Sequence, residues 1–416
     1  ADMPASPAQI AVGDQQPDDD VALDQYLPQR FGGPIHLINA CVNQTRDPRG
    51  GLFNQDRRGL ALAVVSGGLM QVSQEGWRPL QGRAAMTLGT WTAISGAAVA
   101  PGLGSLTRGG ISALATFAGL RLGFWWDKGT RTNAGAAASP LTAKSFGLLR
   151  ETFGIFRGTE RPDWFLTDGA HFENSGAYAL LAERAEVVVL ADCGADPAYT
   201  FGDVENLVRK ARIDLQADIF FQRPKSPPRS AAAAAATAPP APGSLQQRYR
   251  LAKPPAPEPP LWPAEMDAFG SLNDLASSNS SACLALATIT YGGERPGRGI
   301  LILVKPNISD GLPIDLMNFK AENKDFPQQT TADQFFSEAQ WESYFQLGYF
   351  LGAKLTKSFV EGLAANPGVY FENDERSPFD TQQKAMDRAT SVQKAASPLS
   401  RLPARFNTTA VNATLG

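Results

Sequence analysis

The chain has 416 residues, 43% of them hydrophobic and 19% charged, with a formal net charge of −3. That composition suits a folded chain with a sizeable core, and the small acidic balance argues against nucleic acid as a partner, since phosphates call for a surplus of Lys and Arg. Three widely spaced cysteines (Cys41, Cys193, Cys283) and only two histidines (His36, His171) exclude a disulfide framework and a His-rich metal site within the chain; the thiols read as buried, in a reducing compartment.

The first 20 residues are rich in Pro, Gln and Asp and lack the apolar centre of a signal peptide or anchor. Residues 1–30 therefore read as a flexible leader, and the chain, which starts at Ala1, as a fragment, a processed product or a trimmed chain. Residues 34–43 and 59–66 are near-continuous apolar runs and predict buried strands, the second closed by Gly67 and Gly68. His36, inside the first run, reads as a satisfied core histidine. Between Trp91 and Trp126 the only charges are Arg108 and Arg121. Residues 109–120 predict a short apolar helix, taken as a core helix; the alternative is an interfacial surface with Phe124, Trp125 and Trp126 at headgroup level. No apolar run reaches the roughly 18 residues of a spanning helix.

Residues 163–215 carry the clearest alternation. A short strand ends at Asp168, residues 176–185 predict a helix, 186–192 a buried strand ending at Asp192, and 204–215 an amphipathic helix. Strand, helix, strand in this order implies a crossover and a parallel sheet. Residues 222–263, with a run of six alanines and several prolines, read as a low-complexity surface loop or linker. Residues 282–291 and 298–305 predict an antiparallel hairpin. Thr331-Ala-Asp-Gln334 has capping-box spacing and predicts a long helix to about residue 355. Thus 31–221 is expected to be an α/β portion, 222–263 an insert, 264–365 a continuation of the same domain, and 366–416 a polar arm. Neither a dinucleotide nor a Walker loop occurs, and no organic cofactor or metal is implied.

Asp168-Gly169-Ala170 is the sharpest chemical feature. An aspartate at a strand end, followed by a glycine that lets the backbone turn, presents its carboxylate where open α/β sheets bind ligands. Such a carboxylate can take a serine proton directly, with no histidine. His171 reads either as a pocket-lining partner of Asp168 or as a structural cap of the next helix together with Glu173 and Asn174. Asp192 reads either as a second cleft-lining carboxylate or as the cap of the following turn.

The stretch Leu166-Thr-Asp-Gly-Ala-His-Phe-Glu-Asn-Ser-Gly-Ala-Tyr-Ala-Leu-Leu resembles the Asp-Gly-Gly/Ala region of patatin-like phospholipases, nearest to a bacterial, membrane-associated branch. Ala195-Asp-Pro-Ala-Tyr-Thr-Phe-Gly-Asp203, Arg212-Ile-Asp-Leu215, the stretch from Phe326 to Tyr344, and Ile94-Ser-Gly-Ala-Ala-Val-Ala-Pro101 are similar to further segments of that branch, in order, over roughly residues 34–355. The resemblance implies a patatin-like, parallel-centred sheet flanked by helices, with an added hairpin and a long C-terminal helix. It implies lipid ester hydrolysis by a Ser-Asp dyad, with Asp168 as the base and Gly169 beside it. The chain departs from the family at the nucleophile: it holds neither Gly-x-Ser-x-Gly nor the early oxyanion glycine loop. Val65-Ser66-Gly67-Gly68 lacks the preceding glycine, and Ile94-Ser95-Gly96-Ala97 lacks both flanking glycines. Two expectations follow. Either the serine comes from an upstream segment or a partner chain, and the isolated chain is inactive, or the chain is a non-catalytic scaffold subunit of a membrane-associated complex. The implied location is membrane-associated, at a bacterial inner membrane or its cytoplasmic side.

Overall fold

The computed structural model describes residues 20–45, 58–80, 86–127, 147–225, 262–277, 280–308, 311–330, 333 and 335–372. Most of the expected leader, the Pro/Ala-rich insert and the C-terminal arm lie outside the described residues, as does most of the Thr331–Gln334 capping box.

The fold is mixed α/β with two sheets. Strands β1 (Leu37–Asn43), β2 (Gly59–Val65), β3 (Leu69–Val72), β4 (Arg78–Pro79), β5 (Phe124–Asp127) and β6 (Asp163–Asp168) form a six-stranded sheet in the order β4-β3-β2-β1-β6-β5. Every pairing in it is antiparallel. Strands β7 (Val187–Ala191), β8 (Ala217–Phe221), β9 (Leu284–Tyr291) and β10 (Gly297–Val304) form a second sheet in the order β7-β10-β9-β8. Its β9–β10 pair is the expected hairpin, and β7 runs parallel to β10.

The expected crossover between β6 and β7 is therefore corrected. Residues 163–192 do give strand, helix, strand, but the two strands belong to different sheets. Both edges of β6 are taken, by β1 and β5, so β7 has no edge of it to join. The strand that carries Asp168 sits in an antiparallel sheet rather than at the centre of a parallel one.

The helices include α1 (Leu88–Ser95), α2 (Gly109–Phe117), α3 (Ala177–Ala182), α4 (Gly202–Leu215), α5 (Leu272–Leu275), α6 (Ile314–Glu322), α7 (Glu338–Gly352) and α8 (Lys357–Ala365). Helices α3 and α4 form the layer between the sheets. Leu181, Val204, Leu207 and Ala211 pack there against Val188, Leu190, Leu301 and Leu303 of the second sheet and against Cys41 of β1. The other face of the second sheet is covered from α6, α7 and α8, with Leu316, Leu347, Leu351 and Leu363 against Leu284, Leu286, Ile300 and Ile302. The far face of the first sheet is closed by Trp91 of α1, whose ring meets Trp126 edge-on at 5.8 Å, with Trp126 in turn 5.1 Å from Trp164. α7 starts at Ser337, whose hydroxyl accepts from Gln340 N, rather than at the Thr331 expected from the capping box.

Several local expectations change. Leu23 is buried in the Trp91 cluster, so the leader is anchored from its last third onward, and Phe371 anchors the start of the C-terminal arm in the same way. His36 is exposed and meets Tyr26 edge-on at 5.9 Å, so it is not a core residue. Cys41 and Cys283 are buried, whereas Cys193 is exposed. Burial pushes the Cys41 thiol up to about 12 and the Cys283 thiol to about 11, which leaves both as inert packing groups.

Helix α2 is not a core helix. It buries the small or polar Ser112, Ala115 and Thr116 and turns Ile111, Leu114 and Phe117 outward, Leu114 being 70% and Phe117 81% exposed. The hydroxyls are satisfied inward, Ser112 Oγ donating to Pro101 O at 2.6 Å and Thr116 Oγ1 to Ser112 O at 2.7 Å. Phe124, Trp125 and Trp126 form β5, where Trp126 is buried, so these three do not lie together at a surface.

Candidate functional site

β6 ends at Asp168, which pairs with Ala40 of β1 and donates its own N–H to Ala97 O at 3.4 Å. Gly169 follows because nothing larger fits: a Cβ there would lie 2.8 Å from the Asn39 carbonyl oxygen. The chain turns into a short 3-10 helix over Gly169–His171, and Asp168 caps it, Oδ1 accepting from Ala170 N at 2.8 Å. Among the described residues this is the one hydrogen bond to the Asp168 carboxylate, and the residue is half-buried. Oδ1 is thus held by the turn, and among the described residues Oδ2 has no hydrogen-bond donor. Ser95, the serine that ends α1, donates to Asn39 O at 2.7 Å and is committed there.

His171 does not bond to Asp168. Nε2 lies 3.0 Å from Ala98 O and Nδ1 2.8 Å from Thr167 Oγ1. A carbonyl only accepts, so Nε2 carries the proton and Nδ1 accepts from the Thr167 hydroxyl. Thr167 Oγ1 in turn accepts from Asn43 Nδ2 at 2.8 Å, and Asn43 Oδ1 accepts from Gly104 N at 3.0 Å. This run of bonds ties β1, β6, the 96–104 loop and the Asp168 turn into one unit. Gly104 sits at φ +53°, and a Cβ there would meet the His171 carbonyl oxygen at 2.1 Å, so the Gly102-Leu-Gly104 piece serves this close approach.

Burial lowers the His171 pKa below its ordinary 6.5, against the opposing Ala98 bond and the Asp168 charge. The neutral ring is the form this network requires. As pH falls, the unfolded chain takes up the proton first, so stability is full above the unfolded value and declines as pH drops through it. Urea unfolding at pH about 7.5 and about 5.5 is expected to show lower stability at the acid end, by up to about 1.4 kcal/mol per pH unit from this one group. His171→Gln is expected to flatten that component; an unchanged pH slope in the variant would rule it out.

The start of α3, whose N-cap residue is Gly176, is served by Glu173 rather than His171. Its buried carboxylate accepts from Ser175 N at 2.6 Å and Tyr178 N at 3.3 Å, and burial raises its pKa. With Asn39, Gly169, Phe172, Gly176 and Tyr178 it lines a small hollow behind the Asp168 turn.

Asp192 lies elsewhere. It follows β7 in the second sheet, and its Oδ2 is 2.9 Å from Lys305 Nζ, the residue that follows β10. Lys305 is 0% and Asp192 5% exposed. Lys305 also donates to Gly194 O at 3.4 Å and stands 4.0 Å from Asp196 Oδ2. Asp192 Oδ1 accepts from Gly194 N at 3.3 Å, so the turn-capping expectation is met and the carboxylate is committed to a buried ion pair. The structure thus groups Asp168, Gly169 and His171 and leaves Asp192 in a separate network. Lys305 went unnoticed in the sequence, although a lysine closing the run Ile-Leu-Ile-Leu-Val is the signal that could have found it.

Comparison with protein-family models, with curated proteins and with solved structures found no match. Among the described residues no cluster of three or more His, Cys, Asp or Glu side chains could hold a metal ion, and no helix is long and apolar enough to cross a membrane.

Proposed function

We propose that the chain is the acid-bearing portion of a patatin-like acyl hydrolase, with Asp168 as the general base for a serine supplied by an upstream segment or a partner chain. The observation that carries this reading is the Asp168 carboxylate, held at a strand end by the Ala170 N–H bond to Oδ1 on a half-buried residue. The ordered sequence resemblance over roughly residues 34–355 supports it.

In this mechanism Asp168 accepts the serine Oγ proton as Oγ attacks the acyl carbonyl. The protonated carboxyl then gives that proton to the departing alcohol, leaving an acyl-enzyme. Asp168 next takes a proton from water as the hydroxide attacks the acyl carbon, and returns it to the serine as the fatty acid leaves. His171 holds the Asp168 turn through Ala98 and Thr167 and moves no proton in this cycle.

A lipid surface is the proposed setting. α2 and the segment around Leu149 and Phe153 adjoin, since Arg121 Nη2 donates to Glu151 Oε1 at 2.9 Å and a Cβ at Gly154 would meet Ser112 Oγ at 2.9 Å. Leu106, Leu114, Phe117, Leu122 and Phe153 are all exposed there. Arg121 is held by Glu151, so the face is presented by its apolar side chains. The same loop accepts from Asp168 N and His171 Nε2, so the apolar face roots at the Asp168 turn. Leu114→Asp with Phe117→Asp is expected to cut cosedimentation with anionic vesicles about a hundredfold, at unchanged thermal stability. Equal binding by the double variant would remove this surface from the proposal.

The alternative is a non-catalytic scaffold subunit, and the antiparallel setting of β6 favours it. Hydrolysis of a fluorogenic acyl ester separates the two. Turnover that requires both this chain and a serine-bearing companion supports the hydrolase; turnover by the companion alone, or by no combination, leaves the scaffold.

A further inference from the structure

We infer that the outer edge of β7 receives a parallel β-strand from the polypeptide that carries the nucleophile; the nature of that polypeptide rests on the function proposed above.

Among the described residues β7 is the end strand of its sheet, paired on one side only, with β10. Glu186 O accepts from Ile300 N at 2.8 Å, and Asp192 N donates to Val304 O at 3.0 Å. Peptide groups alternate in direction along a strand, so the even-numbered residues face β10 while Val187, Val189 and Ala191 point their N–H and C=O groups outward. Among the described residues none of these outward groups has a backbone partner. Val189, at mid-strand, is 49% exposed.

An edge left in water is ordinarily guarded by a Lys, a Pro, a bulge or a covering segment. β7 reads Val-Val-Val-Leu-Ala, and its register with β10 is unbroken from Val187 to Ala191. A near-continuous apolar strand is the pattern found inside parallel sheets, with neighbours on both sides. β7 already runs parallel to β10, so a further strand in that direction extends the same ladder.

The direction also fits the chemistry. The turn after β7 packs against the segment that follows Asp168: Asn174 Nδ2 donates to Asp203 Oδ2 at 2.8 Å, and a Cβ at Gly194 would lie 2.6 Å from that same Asp203 oxygen and 3.7 Å from Asn174 Nδ2. A strand added parallel to β7 delivers its carboxyl end to this side. The carboxyl end is where a strand-to-helix turn exposes a nucleophilic serine. Two copies of β7 related by a two-fold axis would meet antiparallel, which does not give this placement.

The test places a photo-crosslinker at the edge, Val189→p-benzoylphenylalanine, in the full chain expressed in its native cells, with mapping of the crosslinked peptide. A crosslink to a strand directly preceding Gly-x-Ser-x-Gly supports the proposal. Crosslinks to another polypeptide, to a second copy, to this chain itself, or to nothing overturn it. Amide exchange of the isolated chain is the second measurement. Val189 and Ala191 amides are expected to exchange at least a hundredfold faster than Val188 and Leu190; equal protection means the edge is already covered, and ends the proposal. A serine-strand crosslink in an assembly where Asp168→Asn keeps full turnover would sustain the docking and remove the assigned base, so the two failures are distinguishable.

Discussion

Asp168→Asn is expected to lower ester hydrolysis by the serine-bearing assembly by roughly 10²–10⁴-fold, the range of general acid–base catalysis. The amide keeps an oxygen for the Ala170 N–H bond, so the cap on the Gly169–His171 turn persists. It cannot take the serine proton. Because the residue is half-buried at a turn rather than in the core, the variant is expected to unfold at the wild-type urea midpoint. The two measurements must therefore part, with activity lost and stability kept. If both fall together, Asp168 is a structural residue. If neither falls, it is a bystander.

The largest stability effect is expected at the carboxyl ends of β7 and β10. Lys305 is fully buried with Asp192 as its 2.9 Å partner. Removing one member of such a pair leaves an uncompensated charge in the interior, at a cost of about 3–5 kcal/mol. Lys305→Met is accordingly expected to destabilise by about that amount in urea unfolding. Asp192→Asn in the same chain should recover part of the loss, with a coupling of about 1–3 kcal/mol in the double-mutant cycle. A loss under about 1 kcal/mol, the range of solvent-exposed pairs, would show that water reaches the pair. Since Asp192 and Lys305 tie the carboxyl ends of β7 and β10, the same variant is expected to loosen the edge strand that the added strand would join.

Local structure was largely legible in the residues. The apolar runs at 37–43, 59–65, 187–191 and 297–304 are strands, the 3.6-residue pattern at 202–215 is α4, and β9 and β10 pair as the hairpin. Each of these depends on neighbours in sequence. Sheet membership does not. Val187 to Ala191 reads the same whether it joins β6 or β10, and the outcome turned on β1 and β5 having taken both edges of β6. The same limit applied to α2, where an apolar composition suggested burial but the small hydroxyl residues Ser112 and Thr116 face inward, bonded within their own neighbourhood.

The candidate site was legible only in part. Asp168 and Gly169 could be read as a strand end and a tight turn because both features are local. The role of His171 could not, since its partner Ala98 is 73 residues away and Asn43, which sets the polarity of the network, is 124 residues from Thr167. Asp192 looked equivalent to Asp168 because both end a strand, and only the position of Lys305, 113 residues on, separates them.

A fluorophosphonate probe on the native assembly decides whether Asp168 serves a serine from outside this chain. A labelled companion polypeptide bearing Gly-x-Ser-x-Gly is expected, with this chain unlabelled and labelling strongly reduced by Asp168→Asn. A label on this chain itself, or native material with no labelled companion, would contradict it.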